Sequence, residues 1–172
     1  MIEDTAIKIK LFILDVDGVM TDGRIFLDQQ GEEIKCFHVR DGLGLRLLIE
    51  AGIDVVIISG RKSNAVEHRL KTLGISEIYQ GVRDKEALCI NLIKKKKLKR
   101  EHVCCMGDDL PDIPMFDQAG LSIAVADAAD EVRDAATFIT KNRGGKGAVR
   151  EACELVLKAQ KKWEKSISSY TR

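Results

Sequence analysis

Proline and aromatic residues are scarce: the chain holds two prolines, and 5% of its residues are Phe, Trp or Tyr. This excludes a proline-rich linker protein and a stacking platform for single-stranded bases. Net charge is nearly absent, since 28 Lys and Arg face 27 Asp and Glu. That balance removes the global attraction that would bring nucleic acid or an anionic membrane as partner. No apolar run approaches the roughly 18 residues of a membrane span. The first residues carry Glu3 and Asp4 where a secretory leader would be basic and apolar, so no leader is expected. The five cysteines include no C-x-x-C pair, which argues for reduced thiols in a cytoplasmic protein. Cys36 and His38 would share one face of a strand and His102 precedes Cys104 by two, but neither pair has the spacing of a structural zinc site. Cys104 and Cys105 sit in an apolar run and read as small buried hydrophobes.

What the chain does have is alternation. Short apolar runs at 11–14, 53–58, 78–79, 103–106, 121–125 and 138–140 are separated by amphipathic stretches at 42–51, 62–73, 84–97, 112–119 and 147–164. Strands that read apolar throughout, linked by helices, imply right-handed crossovers and a parallel sheet covered on both faces. The expected fold is therefore α/β, a Rossmann-like three-layer sandwich with a mainly parallel sheet, in one domain over 1–172. One stretch breaks the rule. Around Asp28-Gln29-Gln30-Gly31 the pattern is that of a β-hairpin, inserted over about 24–37 after the first strand. A lone hairpin is marginal in water and needs something to pack against. Lys94 to Lys97, with Lys99 and Arg100, reads as a solvated helix end. The Arg143-Gly144-Gly145-Lys146-Gly147 stretch is either a cationic loop that helps close a site or a turn needing positive φ, and 161–172 is a polar, partly frayed tail.

Open parallel sheets bind ligands at the carboxyl ends of their strands. Asp15-Val16-Asp17-Gly18 follows the first run, Ser59-Gly60-Arg61 the second, and Gly107-Asp108-Asp109 the fourth, with Asp112 close behind. Lys85 lies near the start of the helix after the short third strand. Carboxylates gathered at one edge repel unless a cation joins them, and oxygen-only ligands point to Mg2+ rather than zinc. A calcium loop starting at Asp15 fails, because Met20 and Phe26 stand where Gly and Glu are needed.

These residues resemble the four motifs of the haloacid dehalogenase superfamily of phosphohydrolases: D-V-D-G-V at 15–19, S-G-R at 59–61, Lys85, and G-D-D-x-x-D at 107–112. The resemblance implies that Asp15 is a nucleophile forming an aspartyl phosphate and Asp17 an acid/base. It implies that Ser59, Gly60 and Lys85 hold the phosphate. Asp15, Asp17 (through its carbonyl) and Asp108 would hold Mg2+, with Asp109 and Asp112 in support. No sequence is left over for a cap domain. D-V-D-G-V-M-T-D-G at 15–23, F-H-V-R-D-G-L-G at 37–44 and G-G-K-G-A-V-R-E at 144–151 narrow the resemblance to the capless phosphatases of 3-deoxy-D-manno-octulosonate (Kdo) 8-phosphate. That family implies a homotetramer in which hairpins cover neighbouring sites, a small sugar-acid phosphate as substrate, a cytoplasmic location and lipopolysaccharide precursor synthesis. Such a substrate needs a cation for its carboxylate, and Arg61, Lys62 and Arg40 are the candidates. The alternatives are a phosphatase of nine-carbon, sialic-acid-type 9-phosphates and a catalytically idle regulatory or scaffold domain. A receiver-like signalling module would carry its phosphoacceptor after the third strand, not the first.

Overall fold

Leu11–Leu14 is buried at every residue and forms β1, the centre of the sheet in the computed structural model, which describes residues 2–171. The short helix α1 (Ile2–Ala6) precedes it, and β2 (Phe26–Leu27) and β3 (Glu33–Ile34) pair antiparallel as the expected hairpin. Then follow α2 (Val39–Glu50), β4 (Asp54–Ser59), α3 (Asn64–Thr72), β5 (Glu77–Gln80), α4 (Lys85–Lys95) and β6 (Val103–Gly107). The rest comprises α5 (Ile113–Phe116), β7 (Leu121–Ala124), α6 (Asp130–Ala135), β8 (Phe138–Ile139), α7 (Ala148–Ala159) and α8 (Trp163–Ile167).

The main sheet has the order β5-β4-β1-β6-β7-β8, and every pair in it is parallel. The chain runs outward from β1 through β4 and β5, returns to β6 on the other side of β1, and runs outward again. Its direction reverses at β1, so the loops after β1, β4 and β6 part there and leave a crevice. Register sharpens this. Leu14 pairs with both Ile57 and Met106, which brings Asp15, Ser59 and Asp108 within two residues of one level. Helices α1, α2 and α7 pack together, as do α4, α5 and α6. The all-buried patterns of β1, β6 and β7 fit a sheet covered on both faces.

The structure departs from the sequence reading in three places. Helix α2 begins at Val39, three residues early, because His38 in extended conformation already serves as its N-cap. The helix expected over 147–164 is two: Lys161 turns left-handed (φ 55°) and separates α7 from α8. The tail is thus held as far as Ile167, with Arg150 and Lys158 set 5.0 and 5.2 Å from the Trp163 ring centroid. Cys36 and His38 lie outside any strand: Cys36 is exposed, and His38 Nδ1 sits 3.9 Å from Asp41 Oδ2. Of the two readings of 143–147, the structure shows the turn with positive φ. Gly144 N–H donates to Asp127 Oδ1, Gly145 N–H to Val19 O (both 2.9 Å), and Gly145 and Gly147 take positive φ. Among the described residues no helix is long and apolar enough to cross a membrane.

Candidate active site

After β1 the chain turns sharply. Asp15 N–H still donates to Met106 O (3.1 Å), extending the sheet by one residue, and the N–H groups of Val19, Met20 and Thr21 then converge on Val16 O. Thr21 Oγ1 accepts from Gly18 N and Gly23 N, 3.3 Å each. Gly18 has φ +89°, and a Cβ there would overlap the Asp108 carboxylate. Both conformation and space therefore demand glycine.

Lys85 opens α4, one residue after the N-cap Asp84. A cation at that end opposes the helix dipole, so other charges must hold it. Lys85 Nζ lies 2.7 Å from Asp15 Oδ1 and 2.6 Å from Asp112 Oδ1. The second oxygen of Asp112 accepts from the N–H groups of Asp108 (3.0 Å) and Asp109 (3.3 Å), which fixes the loop after β6. Asp15, Asp112 and Lys85 are all buried.

The electrostatics follow from that burial. Desolvation, reinforced by the Asp112 carboxylate and opposed by Lys85, pushes the Asp15 carboxyl up to about 7. Desolvation and the charges of Asp112, Asp15 and Asp109 push Asp108 up to about 8. At Lys85, burial works against the charge, but Asp112 and Asp15 together outweigh it and hold the ammonium above its ordinary range. Asp15, Asp108 and Asp112 each offer an oxygen within 4.8 Å of the others. Carboxylates this close, outnumbering one ammonium, lack a counter-charge. The all-oxygen donor set fits Mg2+.

Asp17 stands apart from that cluster. Lys35 Nζ bonds its Oδ1, and Arg61 Nε lies 3.8 Å from its Oδ2. Ser59, buried at the end of β4, accepts the Arg61 N–H at Oγ (3.3 Å). Asp15, Asp17, Ser59, Gly60, Arg61, Lys85, Asp108, Asp109 and Asp112 all line one cleft of about 370 Å³. Two of the sequence candidates fall outside it. Lys62 borders an adjoining groove of about 390 Å³ beneath the hairpin, and Arg40 is exposed on the first turn of α2.

A model of haloacid dehalogenase-like hydrolases matches residues 74–151. The chain is 50% identical over 159 residues to the 3-deoxy-D-manno-octulosonate 8-phosphate phosphatase of Yersinia pestis, covering 92% of this chain and 85% of that one. The chain belongs to this phosphatase family. The crystal structure of a Y. pestis enzyme of the same name superposes with a TM-score of 0.93 at 48% identity, over 95% of this chain and 88% of the other. That of the Moraxella catarrhalis enzyme, in complex with a magnesium ion, a phosphate ion and Kdo, gives 0.96 at 44% identity, over 99% and 98%.

Within this family member, two residues at the cleft had escaped the sequence reading: Glu33 and Lys35, both on the hairpin. Arg61 Nη2 lies 2.5 Å from Glu33 Oε1, and Lys35 Nζ 3.0 Å from Glu33 Oε2. The pattern that marks them is one of burial and belongs to the folded chain. From 33 to 37 burial alternates, with 33, 35 and 37 half-buried and 34 and 36 exposed, which is the period of an extended chain with one face turned inward.

Proposed function

We propose that the protein is a Mg2+-dependent phosphatase that hydrolyses Kdo 8-phosphate to Kdo and phosphate. The observation that carries this is the buried Asp15, held by Lys85 at the switch point of the sheet and flanked by Asp108 and Asp112, in a chain half identical to such a phosphatase. Asp15 attacks phosphorus through one carboxylate oxygen. The bond to the sugar oxygen breaks, and that oxygen takes a proton from Asp17. Water then attacks the aspartyl phosphate, giving its proton to Asp17, and the Asp15–phosphorus bond breaks to release phosphate. Ser59, the Gly60 backbone and Lys85 hold the phosphate oxygens as charge shifts among them. Asp15, Asp108 and the Asp17 carbonyl, with Asp112 and Asp109 in support, would hold Mg2+, which would supply positive charge against the phosphate. Arg61, at the cleft, is the best placed of the three cations for the substrate carboxylate.

The domain is single and capless, and the enzyme works as a cytoplasmic homotetramer serving lipopolysaccharide precursor synthesis. Support for assembly comes from the hairpin, which leaves Ile25, Phe26, Leu27 and Ile34 exposed. The test is phosphate release from Kdo 8-phosphate with and without Mg2+, beside a nine-carbon 2-keto acid 9-phosphate. Preference for the eight-carbon ester, lost in Asp15→Asn, is expected. Preference for the nine-carbon ester would reassign the substrate, and no turnover of either with Mg2+ present would favour an idle domain.

A further inference from the structure

Lys35 is out of keeping with its surroundings. It follows β3 on a hairpin whose neighbouring residues Ile34 and Cys36 are exposed, yet its own side chain is 1% exposed. Burying an ammonium costs several kcal/mol unless opposite charges receive it. Here two do, Asp17 and Glu33, and Arg61 meets the same two carboxylates from the other side. The four groups close a ring of alternating sign: Asp17, Lys35, Glu33, Arg61. The ring is uneven. Lys35 hydrogen-bonds Asp17 Oδ1, whereas the Arg61 Nε at 3.8 Å from Oδ2 is beyond hydrogen-bond reach. Glu33 Oε2 faces Lys35 Nζ at 3.0 Å as the second carboxylate of the ion pair.

We propose that Lys35 is a positioning residue for Asp17: by fixing Oδ1 it sets the carboxyl orientation and leaves Oδ2 as the oxygen that exchanges the proton with the leaving group and with water. Glu33 and Arg61 hold Lys35 and Asp17 in that relation, so the hairpin is part of the acid/base apparatus as well as a cover. The assignment rests on the reading of Asp17 as acid/base. Its consequence depends on the leaving group. An alkyl ester such as a sugar phosphate leaves as a strongly basic alkoxide and needs the proton, whereas the nitrophenolate of p-nitrophenyl phosphate leaves without one.

The water step is common to both esters. The experiment therefore compares KM and the single-turnover rate of leaving-group release for Kdo 8-phosphate and p-nitrophenyl phosphate in the wild type, Lys35→Met, Lys35→Arg and Glu33→Gln, all with saturating Mg2+ and with folding checked by circular dichroism. Lys35→Met is expected to lower that rate for the sugar-acid ester by roughly 10–100-fold, part of what general acid–base catalysis supplies. KM and the rate with p-nitrophenyl phosphate should stay within about threefold, well short of a general-acid contribution. Lys35→Arg should recover much of the loss. Glu33→Gln, which leaves Lys35 in place, should show the same pattern more weakly, and it carries the test if Lys35→Met does not fold. A fall shared equally by both esters would mean that Lys35 only supports the fold, and no fall in either would mean that Asp17 does not depend on it. Both overturn the proposal. Wild-type turnover of the sugar-acid ester reports on the phosphatase reading, and the ratio between esters in the variants reports on Lys35.

Discussion

At Asp15, burial and the neighbouring Asp112 carboxylate favour the neutral carboxyl, whereas attack on phosphorus needs the anion. The same conflict exists at Asp108. Both carboxyls are pushed above their ordinary values, to about 7 and about 8, so the metal-free fold holds protons that the unfolded chain has already released. The contribution of these two groups to metal-free stability is therefore fully present below the ordinary carboxylate range of about 4 and is lost as pH rises toward 8. Mg2+ needs the deprotonated groups, so its stabilisation moves the opposite way. Thermal melts should show a small gain in Tm from saturating Mg2+ at pH 5 and a larger one at pH 8. A gain that shrinks with pH would remove Asp15 and Asp108 from the metal site. Asp15→Asn tests the same strain separately. At pH 8 without metal it should melt higher than the wild type, by roughly 2–4 °C for each kcal/mol of repulsion relieved, while losing all turnover.

Among the elements, α7 is tied to the rest of the molecule by a residue that lies on α2. Asp41 is buried, and its two oxygens accept the N–H groups of Gly147 (3.2 Å) and Arg150 (2.8 Å) at the start of α7. Burial raises its pKa, and those two backbone bonds oppose the rise. Asp41→Ala strands both donors and should cost about 1–3 kcal/mol in denaturant unfolding, with the metal-dependent Tm gain preserved because Asp41 does not line the cleft. A cost below about 0.5 kcal/mol, the level of an ordinary surface change, would count against this cap. Nothing in D-G-L-G at 41–44 marked Asp41 as the cap of a helix a hundred residues later, since such a partnership exists only once the chain is folded. The sheet was legible for the opposite reason. Leu11–Leu14 and Val103–Gly107 are buried on both faces, so their composition alone reports their place. The motif carboxylates were legible too, because they follow directly on those runs. Lys35 and Glu33 were not, because a charged residue in a hairpin reads as solvated until an opposite charge from a distant strand end meets it. Helices α1 and α6 span 5 and 6 residues, too short for a 3.6-residue period to repeat.

For the molecule as a whole, the hairpin has two unlike faces. Its inward face, Glu33 and Lys35, is satisfied by Asp17 and Arg61 of the same chain. Its other face carries the register pair Phe26 and Ile34, which are 48 and 58% exposed. Two short strands cannot stabilise themselves in water, and salt bridges on one side do not remove the cost of wet hydrocarbon on the other. Association of hairpins from several copies would bury those side chains and hold each hairpin over the cleft it borders. Assembly and activity are then coupled through the same element. Phe26→Asp places a charge in that apolar group on the face away from Glu33, since Phe26 pairs with Ile34 across the hairpin. On a sizing column with light scattering, the wild type should elute at about four times the 19.1 kDa chain mass, and Phe26→Asp at or near one chain. The dissociated variant should keep its Mg2+-dependent gain in Tm, since the metal cluster lies within one chain. Its kcat should fall by at least about tenfold as the unsupported hairpin loosens its hold on Asp17, a loss of roughly 1.4 kcal/mol in transition-state stabilisation. A wild type that runs as a monomer at full activity would uncouple the hairpin from assembly and leave its apolar side unexplained by a second copy.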